Sequence, residues 1–503
     1  MLKIVCTSQS QHGSLRRIFA RTMSTIKHFD AVVIGSGQAG TPLATALAKA
    51  GKKTALIERE HLGGCCVNEG CTPAKTMIAS GRIAYLASRA GDYGIRPKGV
   101  GEGSKGIPTV TDMQKVRQRK RDIVNQFRGG SERRLTTVEG LEVIMGEARF
   151  QSPKSLTVKL NSGKQNLQVD ADVFFINTGE RPAKPHLDGL ERVPHDRVLD
   201  STSIQELGEV PEKLIVLGGG YIGLEFGQLF RRLGSEVTIV QRAKQLAPRE
   251  DAEVADMVKQ ILTDEGVEVL LGATATKIEF NDAKKLLLHY HNADQSSATV
   301  VGSHILFAAG RTPNSDMLNL EAAGVGVDAG GHIMVNEVLQ TSAENIFALG
   351  DVHGGPAFTH ISYDDMRVIR SNFIQHVSPP ATITDRVVPY VVYMDPQLGH
   401  VGLHEAEART KYPDRIIKTA TMPMSYVARA LETDETRGMM KAVVDGETGE
   451  ILGFTCLGIE GGEVMTVVQI VMMSKLPYTK LQDAIFAHPT LAESLNNLWG
   501  FLK

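Results

Sequence analysis

The 503-residue chain predicts an α/β fold, two Rossmann-like domains followed by a smaller α+β domain, on three observations. A short apolar strand, Phe29-Asp30-Ala31-Val32-Val33-Ile34, runs into the glycine turn Gly35-Ser36-Gly37-Gln38-Ala39-Gly40 and then an alanine-rich helix. A second strand, Leu214-Ile215-Val216-Leu217, does the same through Gly218-Gly219-Gly220-Tyr221-Ile222-Gly223. From about Arg386, strands give way to helices in what reads as a separate α+β unit. At this length, 42% hydrophobic and with formal net charge −2, the chain can bury several cores and shows no nucleic-acid footprint. Its longest apolar run, around residues 464–473, is broken by Thr466 and Gln469 and is too short to span a bilayer. A soluble protein is expected.

In the first unit the glycines let the backbone approach a pyrophosphate at a helix N-terminus, and Glu58, ending the strand Thr54-Ala55-Leu56-Ile57, offers a carboxylate to a ribose diol. A glycine motif alone is weak; strand, turn, helix and acid together make Gly35, Gly37, Gly40 and Glu58 a dinucleotide site. The second unit brings Gly218, Gly220 and Gly223, and two nucleotide sites in one chain imply electron transfer between two cofactors. The offset from Gly35 to Glu58, applied to Gly218, lands on Gln241, followed by Arg242. A carboxylate there would repel a 2′-phosphate and Arg can pair with one, so the second site reads as preferring NADPH. The plainer alternative makes Arg242 a solvated surface charge and allows NADH.

Between the two units lies Gly63-Gly64-Cys65-Cys66-Val67-Asn68-Glu69-Gly70-Cys71-Thr72-Pro73-Ala74-Lys75. Closing so small a ring with a Cys66–Cys71 disulfide would stabilise the fold by only about 2 kcal/mol, less if strained, which favours a redox-active pair over a staple. A zinc half-site would need a second Cys or His pair, and Cys6 and Cys456 stand alone. Three of the five cysteines in one motif do not describe a secreted disulfide framework, and a reducing compartment is expected.

These motifs resemble the class I pyridine nucleotide-disulfide oxidoreductases, the flavoenzyme family of glutathione reductase, dihydrolipoamide dehydrogenase and mercuric reductase, from about Lys27 to the C-terminus. The resemblance implies an FAD domain at residues 28–190 and 306–384, an NAD(P)H domain at 191–305 and a dimerisation domain at 385–503. It implies that Cys66 exchanges with substrate while Cys71 lies against the flavin as a charge-transfer thiolate, with Lys75 near the flavin and paired with Glu225. Only the thiolate attacks a disulfide, and a nearby cation lowers a thiol pKa. Tyr221 falls where a mobile aromatic covers the nicotinamide pocket. Asn177-Thr178-Gly179-Glu180-Arg181-Pro182 and Ala308-Ala309-Gly310-Arg311-Thr312-Pro313-Asn314 match the turns between the nucleotide domains, and Asp351 the ribitol-contacting acid of a second FAD fingerprint. In His488-Pro489-Thr490-Leu491-Ala492-Glu493, His488 is the implied acid-base, oriented by Glu493 and acting on the disulfide of the other subunit of a homodimer. Cys65 departs from the family's usual Thr, and reads as a small buried filler or as a third, competing thiol.

The expected enzyme passes electrons from NADPH through FAD to Cys66/Cys71 and on to a small disulfide or other oxidant. The motif forms look closest to the mercuric-reductase-like branch. Yet the chain ends Trp499-Gly500-Phe501-Leu502-Lys503 without paired cysteines, and no metal-binding domain precedes the flavin domain, so mercury is expected to be a poor substrate. Dihydrolipoamide dehydrogenase is the alternative, opposed by Gln241; a silent FAD-binding interaction protein would leave the thiols and His488 unused. Residues 1–27 are basic, rich in Ser and Thr and free of acids, the composition of a mitochondrial transit peptide; translation from Met23 would instead make the protein cytoplasmic. Residues 98–109 read as an exposed Gly-rich loop. Residues 114–134 read as a solvated basic helix interrupted at Gly129-Gly130, and the Met-rich helix at 464–473 as core or dimer interface rather than a metal site.

Overall fold

A computed structural model describes residues 26–503 apart from residues 97, 99–106, 108, 164, 165 and 185. Residues 1–25 of the expected targeting segment and most of the Gly-rich stretch therefore lie outside the described residues, whereas Ile26 and Lys27, expected to end that segment, already pair with Gln168 and Val169 in the first strand, so the first domain begins at Ile26 rather than at residue 28. The strand Ile26–Ile34 is central to a six-stranded sheet, flanked in parallel by Thr54–Glu58 and Leu167–Ile176. Its second half, Ala31 to Ile34, is buried on both faces, which is why it reads as an unbroken apolar run. Ile346–Ala348 adds in parallel to Leu167–Ile176, so the last part of this domain arrives from far along the chain.

The second domain has an all-parallel five-stranded sheet in the order Glu268–Leu271, Glu236–Gln241, Lys213–Leu217, His304–Phe307, Val198–Leu199. Because His304–Phe307 is a strand of this sheet, the expected boundary at 305/306 cuts through it, and the domain runs on to Phe307. The chain enters and leaves through a short antiparallel pair, Glu180–Pro182 with Arg311–Pro313. The third domain is an antiparallel sheet ordered Pro389–Val392, Gln397–Gly402, Ile451–Gly458, Met439–Asp445, Ile417–Pro423, with the helix Gly461–Met473 packed on it. Val464, Met465 and Val468 of that helix enter the core, while Ile470 and Met473 stay exposed.

The basic segment corrects two expectations. It is one continuous helix, Met113–Thr136, passing straight through Gly129 and Gly130. Two glycines cost a helix only about 2 kcal/mol relative to alanine, which a long helix with Met113, Val124 and Leu135 buried can absorb. Nor is its charge all solvated: Lys120 is 4% exposed and pairs with Glu206, which also takes Arg121.

The three domains meet at an ion network around Tyr85. Arg232 pairs with Glu265 at 2.6 Å and with Asp395, Arg437 reaches the same Glu265 at 2.7 Å, and Arg82 reaches Asp395. Arg82 and Tyr85 lie on the helix Cys71–Ser88, so the network fixes the element that begins with the second motif cysteine. Buried ion pairs return little net stability, and their contribution here is to the geometry.

Candidate active site

A cleft of about 1550 Å³ runs between the domains, and both glycine turns, the three motif cysteines and the helix Gly461–Met473 open onto it. The first turn has no room for side chains. A Cβ on Gly35, which sits at φ +100°, would lie 2.3 Å from the Asn177 carbonyl oxygen, and one on Gly40 would lie 2.0 Å from the Gly35 carbonyl oxygen. Gly64 packs equally close, its Cβ position 2.5 Å from Gly37 Cα, so the thiol motif is seated directly on the dinucleotide turn. Gly40→Ala is therefore expected to yield protein with little or no bound flavin, read from the flavin-to-protein absorbance ratio. Glu58 is oriented by the Ser36 amide (3.0 Å) and hydroxyl (2.6 Å), leaving lone pairs for a diol.

Asp351 sits in the single turn Gly350–His353 and accepts from the Ser362 hydroxyl at 3.3 Å; burial pushes its carboxyl up while Arg311 pulls it down. The same turn is held by Asp365, which accepts from the Gly350 amide at 2.8 Å and meets His353 at 2.9 Å. Thr178 lines the cleft, as does Gly179 at φ +62°. A cradle that excludes Cβ atoms, an acid at each end and a cleft of this volume fit FAD.

Cys66 lies in the short helix Gly64–Asn68, and Cys71 begins the helix Cys71–Ser88, where backbone N–H groups favour an anion. In the structure both carry free thiols, the reduced form of the pair. Donation from the Cys66 thiol, a 3.4 Å contact with the Thr359 hydroxyl and the Lys75 charge together hold Cys71 down to about 6, against burial. The same hydrogen bond, then burial, pushes Cys66 well above the usual thiol range. These contacts favour the negative charge on Cys71 over Cys66. Lys75 lies one turn on and pairs with Glu225 at 2.7 Å, whose other oxygen accepts from the Tyr393 amide at 2.8 Å. Thr359 escaped sequence reasoning, since nothing marks a lone Thr that far along the chain. Thr359→Val should raise the Cys71 pKa, so that the ultraviolet absorbance of the thiolate appears at higher pH.

Cys65 is not a buried filler: its side chain opens onto the cleft, with Arg311 Nη2 3.8 Å from its sulfur. Protein crowded around it nonetheless raises its pKa.

In the second turn a Cβ on Gly218 would meet the Ala308 carbonyl oxygen at 2.6 Å and one on Gly223 the Gly218 oxygen at 2.0 Å, while Gly220 faces open space. Gly310, at φ +141°, lines the same cleft. Gln241 is buried, accepting from the Gly219 amide at 3.1 Å and donating to the Gln245 carbonyl at 3.3 Å, so it shapes the turn rather than facing solvent. Arg242 is exposed and forms no ion pair among the described residues. Arg249, further along the same loop, lines the cleft and was not singled out from sequence.

The family description "Pyridine nucleotide-disulphide oxidoreductase" matches residues 29–365, and that family's dimerisation domain matches residues 388–498. The chain belongs to the pyridine nucleotide-disulphide oxidoreductases. It is 37% identical over 477 residues to the probable pyridine nucleotide-disulfide oxidoreductase RclA of Escherichia coli, covering 94% of this chain and 99% of the relative. It is 34% identical to a mercuric reductase of Lysinibacillus sphaericus, over 93% of this chain and 81% of the relative. A solved structure described as the Cu(II) complex of the HOCl-induced flavoprotein disulfide reductase RclA from Escherichia coli superposes with a TM-score of 0.83 at 36% identity, covering 95% of this chain and all of that one. The protein is an FAD-dependent pyridine nucleotide-disulfide oxidoreductase. No helix among its described residues is long and apolar enough to cross a membrane.

The dimerisation domain of this oxidoreductase carries His488, whose Nδ1 lies 3.0 and 3.1 Å from the two carboxylate oxygens of Glu493. That contact fixes the ring and leaves Nε2 pointing away on a side chain 73% exposed. Neither residue lines the cleft of its own chain, so the structure does not bring His488 to Cys66 within one subunit.

Proposed function

We propose that the enzyme transfers electrons from NADPH through FAD to the Cys66/Cys71 pair and on to a small thiol-reactive oxidant, in a homodimer whose active sites draw residues from both subunits. The observation that carries this reading is the placement of the two thiols: Cys71 starts a helix with the Thr359 hydroxyl at 3.4 Å and Lys75 one turn on, which favours the anion there and leaves Cys66 as the proton-bearing partner. Bound FAD would supply a two-electron carrier between nicotinamide and disulfide. Gly35, Gly37, Gly40, Glu58, Thr178, Gly179 and Asp351 would hold it, and Gly218, Gly220, Gly223 and Gly310 would hold the coenzyme. Lys75, kept charged by Glu225, steadies the thiolate at Cys71. Cys66 gives its proton to His488 of the partner subunit, whose charged form Glu493 stabilises, and attacks the substrate disulfide; one thiolate leaves and takes that proton back from His488. Cys71 then closes the disulfide and expels the second thiol. One NADPH and one proton are consumed per disulfide reduced to two thiols.

The acceptor class is thiophilic: a disulfide, an oxidised sulfur species or a soft metal ion. The Escherichia coli relative, described as HOCl-induced and in complex with Cu(II), supports this range. Steady-state assays against disulfides, lipoamide, quinones, mercuric ion and cupric ion test it; turnover with lipoamide alone would favour dihydrolipoamide dehydrogenase, which Gln241 opposes. Bacterial relatives favour the cytoplasmic alternative with translation from Met23, and the mass of the N-terminal peptide decides it.

For the coenzyme, Arg242 is assigned a charge-assisted contact to the 2′-phosphate. Arg242→Ala should lower kcat/KM for NADPH by roughly 10- to 150-fold, the scale of a charged hydrogen bond of about 1.5 to 3 kcal/mol, and spare NADH. Gln241→Glu, which can still accept from the Gly219 amide, should move preference toward NADH. Equal losses with both coenzymes would reject the contact.

A further inference from the structure

Tyr221 opens the helix Tyr221–Leu233 and stands in the cleft beyond the second glycine turn. Its ring stacks on Tyr390 with centroids 5.4 Å apart, and Tyr390 stacks on Phe358 at the same spacing. The hydroxyls of Tyr221 and Tyr390 both donate to one oxygen of Glu250, at 3.0 and 2.6 Å. Glu250 is 5% exposed, and its other oxygen has no partner among the described residues. Since the single Tyr390 proton is given to Glu250, the 3.1 Å contact between Tyr390 and His404 makes His404 Nε2 the donor.

A buried carboxylate with two histidines beside it invites a metal reading, since Glu250, His400 and His404 bring ligand-type atoms within 4.8 Å. The geometry argues against one. His400 is engaged through both ring nitrogens, with Thr455 at 2.8 Å and the Gly402 carbonyl at 3.1 Å, and the two imidazoles stack face to face at 3.9 Å. Stacked rings cannot both aim in-plane lone pairs at a common ion. The cluster is a hydrogen-bond network, and it ends on Tyr221.

The same network is wired to the coenzyme turn. The Ala247 amide donates to the Gly219 carbonyl at 2.8 Å, Gln241 binds both the Gly219 amide and the Gln245 carbonyl, and Gln245 Nε2 donates to the Glu250 carbonyl at 3.0 Å. On the far side, Lys441 of the third domain anchors Asp251 at 2.9 Å. Glu250 is thereby fixed to the turn that receives the coenzyme and to the domain behind it.

We propose that Glu250, backed by Tyr390, is a latch that holds the Tyr221 ring closed over the nicotinamide position, so that coenzyme must break the Tyr221–Glu250 hydrogen bond to enter. Glu250 is a positioning residue, acting only through Tyr221. The proposal rests on the reading above that the second glycine turn holds the coenzyme, and on the resemblance that sets Tyr221 over the nicotinamide pocket. Breaking the latch raises the open fraction, and apparent affinity rises with the fraction competent to bind.

The test titrates FAD-loaded enzyme with NADP⁺, following the flavin spectrum, and measures flavin reduction by NADPH in rapid mixing. Tyr221→Phe keeps the ring and removes the hydroxyl; it should bind NADP⁺ about tenfold more tightly, with a matching rise in the reduction rate at low NADPH. Glu250→Gln, whose amide oxygen is a weaker acceptor than a carboxylate, should act in the same direction to a smaller extent, and the double variant should bind no tighter than Tyr221→Phe alone, because both changes act on one contact. A merely structural role would weaken binding or lower flavin content instead. An unchanged NADP⁺ affinity in Tyr221→Phe, or additive effects in the double variant, would overturn the latch while leaving the coenzyme site standing. Wild-type flavin that neither NADPH nor NADH reduces would overturn both. Tyr221→Phe alone decides the matter if Glu250→Gln does not fold.

Discussion

Cys66→Ser is expected to keep its flavin, lose disulfide reduction by at least about 10³-fold, the scale of deleting a nucleophile, and show a long-wavelength absorbance from Cys71 beside oxidised FAD. Cys71→Ser should lose the same activity and show no such absorbance. The hydrogen bonds sharpen the expectation. Donation from Cys66 is the largest influence holding Cys71 down to about 6, and a serine hydroxyl can still donate. In Cys66→Ser the absorbance should therefore grow as pH rises through about 6 and fade below it. In Cys66→Ala, with no donor, the midpoint should move upward. Absorbance in Cys71→Ser but not in Cys66→Ser would exchange the two roles, and absorbance in neither single variant would point to Cys65, whose sulfur faces the same cleft.

A second large effect follows from where His488 sits. It pairs with Glu493 on an exposed edge and is absent from the cleft of its own chain, so His488→Ala should cripple the site of the neighbouring subunit. Co-expressing a Cys66→Ala chain with a His488→Ala chain under different affinity tags isolates the mixed dimer. If His488 works across the interface, one site carries both lesions and the other carries none, and activity should return to as much as about half of wild type, assuming independent sites. If it serves its own chain, each site carries one lesion and nothing is rescued. A mixed dimer with full FAD and no more activity than either parent would contradict the shared site.

Residues whose chemistry depends on local spacing were legible in the sequence. Gly35 and Gly40 announce themselves because close backbone approach tolerates only glycine, and Cys66 and Cys71 because they stand close together in one motif. Residues that act through contacts made by folding were not. Thr359 reaches Cys71 from the start of a helix in the late part of the first domain, and Asp365 braces the Gly350 turn from the same helix. Glu250 looks like one more acid in Arg249-Glu250-Asp251 until Tyr221 and Tyr390 converge on it. Local propensity also misled where tertiary contacts outweigh it: Gly129-Gly130 reads as a break, yet the flanking turns are pinned by Val124 and Leu135 and the helix continues. Cys65 reads as core by residue type, but its neighbour Gly64 sits on Gly37 and turns the pair of cysteines toward the cleft.

The central claim, that electrons rest on the thiol pair rather than on the flavin alone, is tested most directly by an anaerobic reductive titration of the FAD-loaded enzyme with thiols counted at each step. After the first two electrons per chain, a long-wavelength absorbance should appear while the flavin remains oxidised, and alkylation should find both Cys66 and Cys71 newly reactive. Bleaching of the flavin by those first two electrons, with no new absorbance and no gain in reactive thiol, would contradict it.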